Sequence, residues 1–150
     1  MRLIDAALEV NGKRAGEVVR LLRAALGELD GADIAILGVA FKPDVQDARN
    51  TPAADVVSLL EARGAIVTYH DPLVPELRAT DGKIHHSITF ETLMQDSNLV
   101  VVVTPHKSID WATVYGKADL IVDTVNSSRG RVARERQVYR LGAGWAEPDA

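Results

Sequence analysis

Two unbroken apolar runs, Ile34-Ala35-Ile36-Leu37-Gly38-Val39 and Leu99-Val100-Val101-Val102-Val103, constrain this chain more than anything else in it. They are too short for helices and lack the alternation of a strand with one wet face. That is the pattern of strands buried on both sides, as in parallel sheets covered by helices. Ile66-Val67-Thr68-Tyr69-His70-Asp71 and Leu120-Ile121-Val122-Asp123 supply two more strands, and residues 137–141 a final edge strand. Pro72 and Pro105 close the second and third runs in chain order.

Helical patterns fill the intervals. Thr51-Pro52 reads as an N-cap followed by proline in the first turn, with Ala53, Val56, Val57, Leu59 and Leu60 turned inward and Gly64 as the stop. Shorter helices are expected near 90–95 and 109–115, an irregular stretch over 73–88, and a frayed tail after Gly144. Ahead of the first strand, apolar residues from Leu3 to Leu26 recur at three- and four-residue steps. They predict one long helix, with a kink or break at Asn11-Gly12 and Gly27 as its C-cap. The expected fold is α/β: a doubly wound, Rossmann-like parallel sheet of about five or six strands preceded by one long N-terminal helix.

Composition narrows the function. The 150 residues suit one domain, with no apolar run near the roughly 20 residues of a membrane span. The first residues lack the apolar core of a secretory signal, so the expected setting is cytoplasmic, away from membranes. Net charge is −4 and the basic residues are dispersed, which argues against nucleic acid as a partner. The cluster Arg129, Arg131, Arg134 and Arg136 reads as a solvated helix face. Cysteine is absent, removing disulfides, thiolate metal sites and thiol nucleophiles. His85 and His86 are adjacent, so in a strand they point to opposite faces, and they read as surface residues with no metal expected.

In an open parallel sheet the ligand sits beyond the carboxyl ends of the strands. The loop from Gly38 to Asn50 is the unusual one there. A dinucleotide-binding turn needs several glycines so that backbone can approach a pyrophosphate, whereas Gly38-Val39-Ala40-Phe41-Lys42-Pro43 has one. Phe41 is suited either to stack on a base or to pack beneath the loop, and Lys42 either to meet a phosphate or to remain a surface lysine. Arg49 precedes a helix N-terminus, where anions are favoured. Asp44 and Asp47 are alternative partners for it within the loop.

The segment 36–44 together with Asp47-Ala48-Arg49-Asn50-Thr51-Pro52 resembles the signature of the UDP-glucose/GDP-mannose dehydrogenase family's C-terminal domain. The similarity runs on through Gly64-Ala65, Tyr69-His70-Asp71-Pro72 and Asp123-Thr124, covering nearly the whole chain. Residues 106–111 are similar to the branch that oxidises UDP-N-acetylhexosamines. The resemblance implies part of an NAD-dependent UDP-sugar 6-dehydrogenase, an oxidoreductase that turns the C6 alcohol of a nucleotide sugar into a carboxylate for polysaccharide biosynthesis. Residues 1–28 would be the end of the central connecting helix and 29–150 the UDP-sugar-binding domain.

Carried over by position, Phe41 and Lys42 contact UDP, and Arg49 reaches the NAD site or the domain interface. Val125 stands where the family usually has an arginine, with Arg129 or Arg131 as candidate phosphate contacts in its place. No catalytic residue is expected here: the family's cysteine and its glycine-rich NAD turn precede this region, so NAD is bound mainly elsewhere and this chain alone is expected to be inactive. The expected partners are a UDP-sugar and, through the N-terminal helix, further copies of the parent enzyme. The alternative is a non-catalytic nucleotide-binding or dimerisation module.

Overall fold

A computed structural model describes residues 3–148 apart from 98, 129 and 143, with side chains described from Arg14 onward. Helix α1 (Leu3–Leu26) is followed by β1 (Asp33–Leu37), α2 (Pro52–Ala62) and β2 (Ile66–His70). A hairpin of β3 (Glu76–Arg78) and β4 (Ile84–His86) comes next, then α3 (Phe90–Asp96), β5 (Leu99–Val102), α4 (Trp111–Lys117) and β6 (Leu120–Asp123). Strands β7 (Val138–Arg140) and β8 (Gly144–Trp145) end the sheet. Its order is β2-β1-β5-β6-β7-β8, parallel from β2 to β7 and antiparallel at β8. The doubly wound sheet behind a long helix is thus the observed architecture.

The period-two geometry of strands sorts the apolar runs between two cores. Ile34, Ile36, Val101 and Val122 face α1 and α2, joined by Val18, Leu22, Val57 and Leu60. Ala35, Leu37, Val100, Val102 and Ile121 face α3 and α4, meeting Leu93, Trp111 and Val114. Each such side chain fully buried is worth about 1.5–3 kcal/mol. Every residue of β5 is buried, which is why an unbroken valine run is the right sequence for the centre of this sheet.

Local chemistry fixes the ends. Thr51 is the N-cap of α2 and its hydroxyl accepts from the Ala53 amide at 3.3 Å, with Pro52 in the first turn. Helix α1 runs through Asn11 and Gly12 without the expected break, and ends at Gly27, whose N–H donates to Arg23 O at 2.8 Å. Packing of its C-terminal half against α2 supplies what the glycine forfeits.

Three expectations are corrected. The irregular stretch contains the β3–β4 hairpin, and within it His86 is exposed while half-buried His85 lies 3.0 Å from Glu61 of α2. The tail does not fray at Gly144: β8 pairs with β7, and Trp145 meets Tyr139 edge-on at 4.9 Å. Arg131, Arg134 and Arg136 of the arginine cluster are not helical, and Arg129 lies outside the described residues. Arg131 lies over Trp111, Arg136 over Trp145, and Arg134 donates to the Ala118 carbonyl at 2.7 Å. Planar guanidinium groups pack well on indole faces, which the periodicity of charge does not reveal.

Candidate functional site

The chain leaves β1 toward β2 on one side, while β5 joins β1 on the other, so the topological switch lies between β1 and β5. Loops leaving the carboxyl ends of these strands diverge to opposite faces and open a crevice. A cleft of about 300 Å³ sits there, walled by Ala40, Phe41 and Pro43 after β1 and by Val103, Thr104 and Pro105 after β5. Pro52 of α2, Val125 beyond β6 and Arg14 of α1 complete it. Larger hollows lie between α3 and α4 (about 740 Å³) and between α1 and the β7–β8 turn (about 550 Å³). Position at the switch, rather than size, selects the smaller one.

The loop from 38 to 50 is shaped from beneath by buried polar groups. Gly38 follows β1 in the left-handed region (φ 79°), its amide donating to His70 O at 3.0 Å. Asp71, at the end of β2, is fully buried. Its Oδ2 accepts from the amides of Val39 at 2.7 Å and Ala40 at 3.0 Å, and its Oδ1 from those of Leu73 at 2.8 Å and Val74 at 3.1 Å. His106 Nε2 lies 2.8 Å from the same Oδ2. Thr104 donates its hydroxyl to Ala40 O at 2.6 Å, and the Phe41 amide closes the loop on Asp47 O at 2.7 Å.

This wiring bears on cofactor binding. The amides of Val39 and Ala40 are those a dinucleotide-binding turn would offer to a pyrophosphate, and here a carboxylate already holds them. The pyrophosphate of NAD does not fit this turn. Among the described residues no group of three metal-ligating side chains converges. At the end of β6, Asp123 plays a similar part: buried, it accepts from the amides of Val125, Ser127 and Ser128.

The expected site residues divide. Phe41 forms part of the cleft wall, 47% exposed, and Lys42 is exposed beside it. Arg49 is not on the cleft lining. It forms a two-point pair with Asp47, Nε to Oδ1 and Nη2 to Oδ2, each at 3.0 Å. Asp44 takes no part in that pair and instead accepts the Lys107 amide at 2.8 Å. Arg129 lies outside the described residues. Arg131, the other replacement considered for Val125, is turned onto Trp111, with Nη1 on Ser127 O at 3.1 Å. Sequence reasoning missed Arg14 on the cleft and the burial of His106. No local pattern marks Arg14, whereas a histidine just after a strand-ending proline at the sheet's carboxyl edge was a signal for His106.

The Asp47–Arg49 pair has a testable titration. The hydrogen bonds from Arg49 hold the Asp47 carboxyl at about 2, against 3.8 for an ordinary aspartate. A lowered folded value means the pair's contribution is complete above the unfolded pKa and lost only as pH falls through about 2. Carbon-detected NMR should find Asp47 still ionised at about pH 3. A midpoint at the ordinary value would show that the pair does not form in solution.

An open parallel sheet with a cleft at its switch point is the architecture of α/β ligand-binding domains. The chain belongs to the UDP-glucose/GDP-mannose dehydrogenase family, and residues 35–129 match that family's UDP binding domain. It is 33% identical over 115 residues to UDP-glucose 6-dehydrogenase TuaD of Bacillus subtilis, covering 75% of this chain and 24% of that protein. It is 28% identical over 109 residues to UDP-N-acetyl-D-mannosamine dehydrogenase of Campylobacter jejuni, covering 71% and 27%. The structure of a UDP-glucose dehydrogenase from Pyrobaculum islandicum superposes with a TM-score of 0.61 at 28% identity, over 93% of this chain and 31% of that one. The chain spans about a quarter of the length of the two sequence relatives. Relatives named for UDP-glucose and for an N-acetylated sugar are both among them, so the similarity extends beyond the N-acetylhexosamine branch.

Proposed function

We propose that the switch-point cleft takes the UDP portion of a UDP-sugar, with Phe41 against the base and Lys42 on the diphosphate. The observation that carries this is the tip of the 38–50 loop, where a half-exposed aromatic ring on the cleft wall adjoins an exposed lysine. Among the described residues that lysine forms no ion pair. An exposed ring gains from stacking on a base, and an ammonium on a flexible stem meets a diphosphate as a point charge. Arg14 adds a second cation to the cleft, whose lining also includes the uncharged Val125. In this reading Arg129 is a further phosphate contact, and Arg49 with Asp47 marks the side facing the NAD site or the domain interface.

The chain then serves an NAD-dependent UDP-sugar 6-dehydrogenase, with residues 1–28 as the end of the connecting helix and 29–150 as the UDP-sugar-binding domain. NAD is held mainly by parts of the enzyme outside this chain, in keeping with the occupied amides of Val39 and Ala40. Lacking cysteine, the chain contributes binding rather than a thiolate step. Copies of the parent enzyme associate through α1; Leu3, Ile4 and Leu8, which would form that seam, have side chains outside the described residues.

Calorimetry with UDP, UDP-glucose, UDP-N-acetylglucosamine and NAD tests the proposal. UDP and both sugars should bind, NAD should give no heat, and Lys42→Ala should weaken UDP about tenfold without changing the melting temperature. Absence of UDP binding at millimolar ligand, or a Lys42→Ala variant that binds like the parent, would sink it.

A further inference from the structure

Beneath the exposed tip of the 38–50 loop lies a fully buried histidine that the binding reading does not use. His106 is 0% exposed and bonded through both ring nitrogens. Nε2 faces Asp71 Oδ2 at 2.8 Å, while Nδ1 faces the backbone N–H of Asp44 at 2.8 Å. An amide N–H can only donate and a carboxylate can only accept, so the ring must carry its proton on Nε2 and leave Nδ1 bare. We propose that His106, backed by Asp71, is a positioning residue that sets Phe41 and Lys42 at the cleft, and that it does so as the neutral Nε2–H tautomer.

The supporting geometry comes from both ends of the loop. Asp71 holds the loop's start through the Val39 and Ala40 amides, and through His106 it holds the far side of the tip at Asp44. Asp44 sits there with φ 65°, a left-handed conformation that aspartate adopts more readily than most residues with a side chain, and here its amide and carboxylate are both bonded across to 106–107. Its carboxylate returns across the gap to the Lys107 amide at 2.8 Å, so residues 44 and 106–107 are joined twice. Phe41 and Lys42 fall between these anchors. The Trp111 indole N–H on His106 O at 3.0 Å fixes the histidine backbone in turn. The charged groups facing the ring are the Asp71 carboxylate in contact, the Asp44 carboxylate on the neighbouring amide, and Lys107 as the next residue. A proton on Nδ1 would put two donors against each other and release Asp44.

Two substitutions separate the halves of this arrangement. Glutamine reaches as far as Nε2 and asparagine only as far as Nδ1, so His106→Gln keeps a donor for Asp71 and loses the acceptor for Asp44. His106→Asn does the reverse. With the whole chain at neutral pH, nitrogen-15 NMR of the ring should find Nδ1 bare and Nε2 protonated. Hydrogen exchange at the Asp44 amide should quicken roughly three- to tenfold in His106→Gln and recover in part in His106→Asn. UDP affinity should fall by a similar factor in His106→Gln, with the melting temperature lowered by about a few degrees. The last readout rests on the proposed UDP site; the tautomer and the exchange do not. A protonated Nδ1, or Asp44 exchange unmoved in His106→Gln, overturns the positioning role. Quickened exchange with UDP affinity unchanged overturns its link to binding.

Discussion

Replacing Gly38 with alanine should destabilise the protein by about 3–5 kcal/mol, lowering its melting temperature by roughly 10 °C or preventing folding. Two costs combine. The backbone at this residue has φ 79°, where a side chain costs roughly 1–2 kcal/mol. A Cβ would also overlap the Thr104 carbonyl oxygen, which is main chain and cannot rotate away. Moving Thr104 aside would pull on the Val103 and Thr104 amides, which donate to Leu37 O at 3.1 and 3.3 Å and close β5 onto β1. Gly82→Ala is the control: its φ is 91°, yet no atom beyond its own chain neighbours lies within 4 Å of the added carbon. It should cost only the backbone part, roughly 1–2 kcal/mol. Equal melting temperatures for the two variants would mean that β1 and β5 do not approach so closely at the cleft floor.

That contact helps explain which parts of the molecule were legible in the sequence. The valine run of β5, the Thr51-Pro52 cap and the short apolar β1 express local rules, and each lies where those rules place it. The single glycine of the 38–50 loop sets this turn apart from the G-x-G-x-x-G pattern, and in the fold a carboxylate holds the Val39 and Ala40 amides. What filled the space instead was hidden, because Asp71 and His106 lie 35 residues apart in sequence and meet only through the sheet order. The same holds for Arg14, which reaches the cleft from α1. The hairpin of 76–86 was missed because its strands are three residues each, too short for periodicity to register. Arg49 was ambiguous for a physical reason: a helix N-terminus and a nearby aspartate attract the same charge, and in the fold the aspartate has it.

The other large effect is expected at Asp71. Its removal as Asp71→Ala leaves the amides of Val39, Ala40, Leu73 and Val74, together with His106 Nε2–H, without their shared acceptor. Each stranded buried donor costs about 1–3 kcal/mol, and partial rescue by water should hold the total near 3–5 kcal/mol. Urea unfolding checks this directly. Asp71→Asn tests whether the carboxylate or merely its shape matters. The amide retains one oxygen but must point its NH₂ either at Leu73 and Val74 or at Val39, Ala40 and His106, and every one of these is a donor. Its loss should therefore stay at about 2 kcal/mol or more despite the near-identical size. If the NH₂ turns toward Val39 and Ala40, the 38–50 loop shifts while the second core stays intact. UDP affinity would then fall further than stability alone accounts for. An Asp71→Asn variant as stable as the parent would show that a neutral acceptor suffices, and that the negative charge beneath the loop is not what holds it.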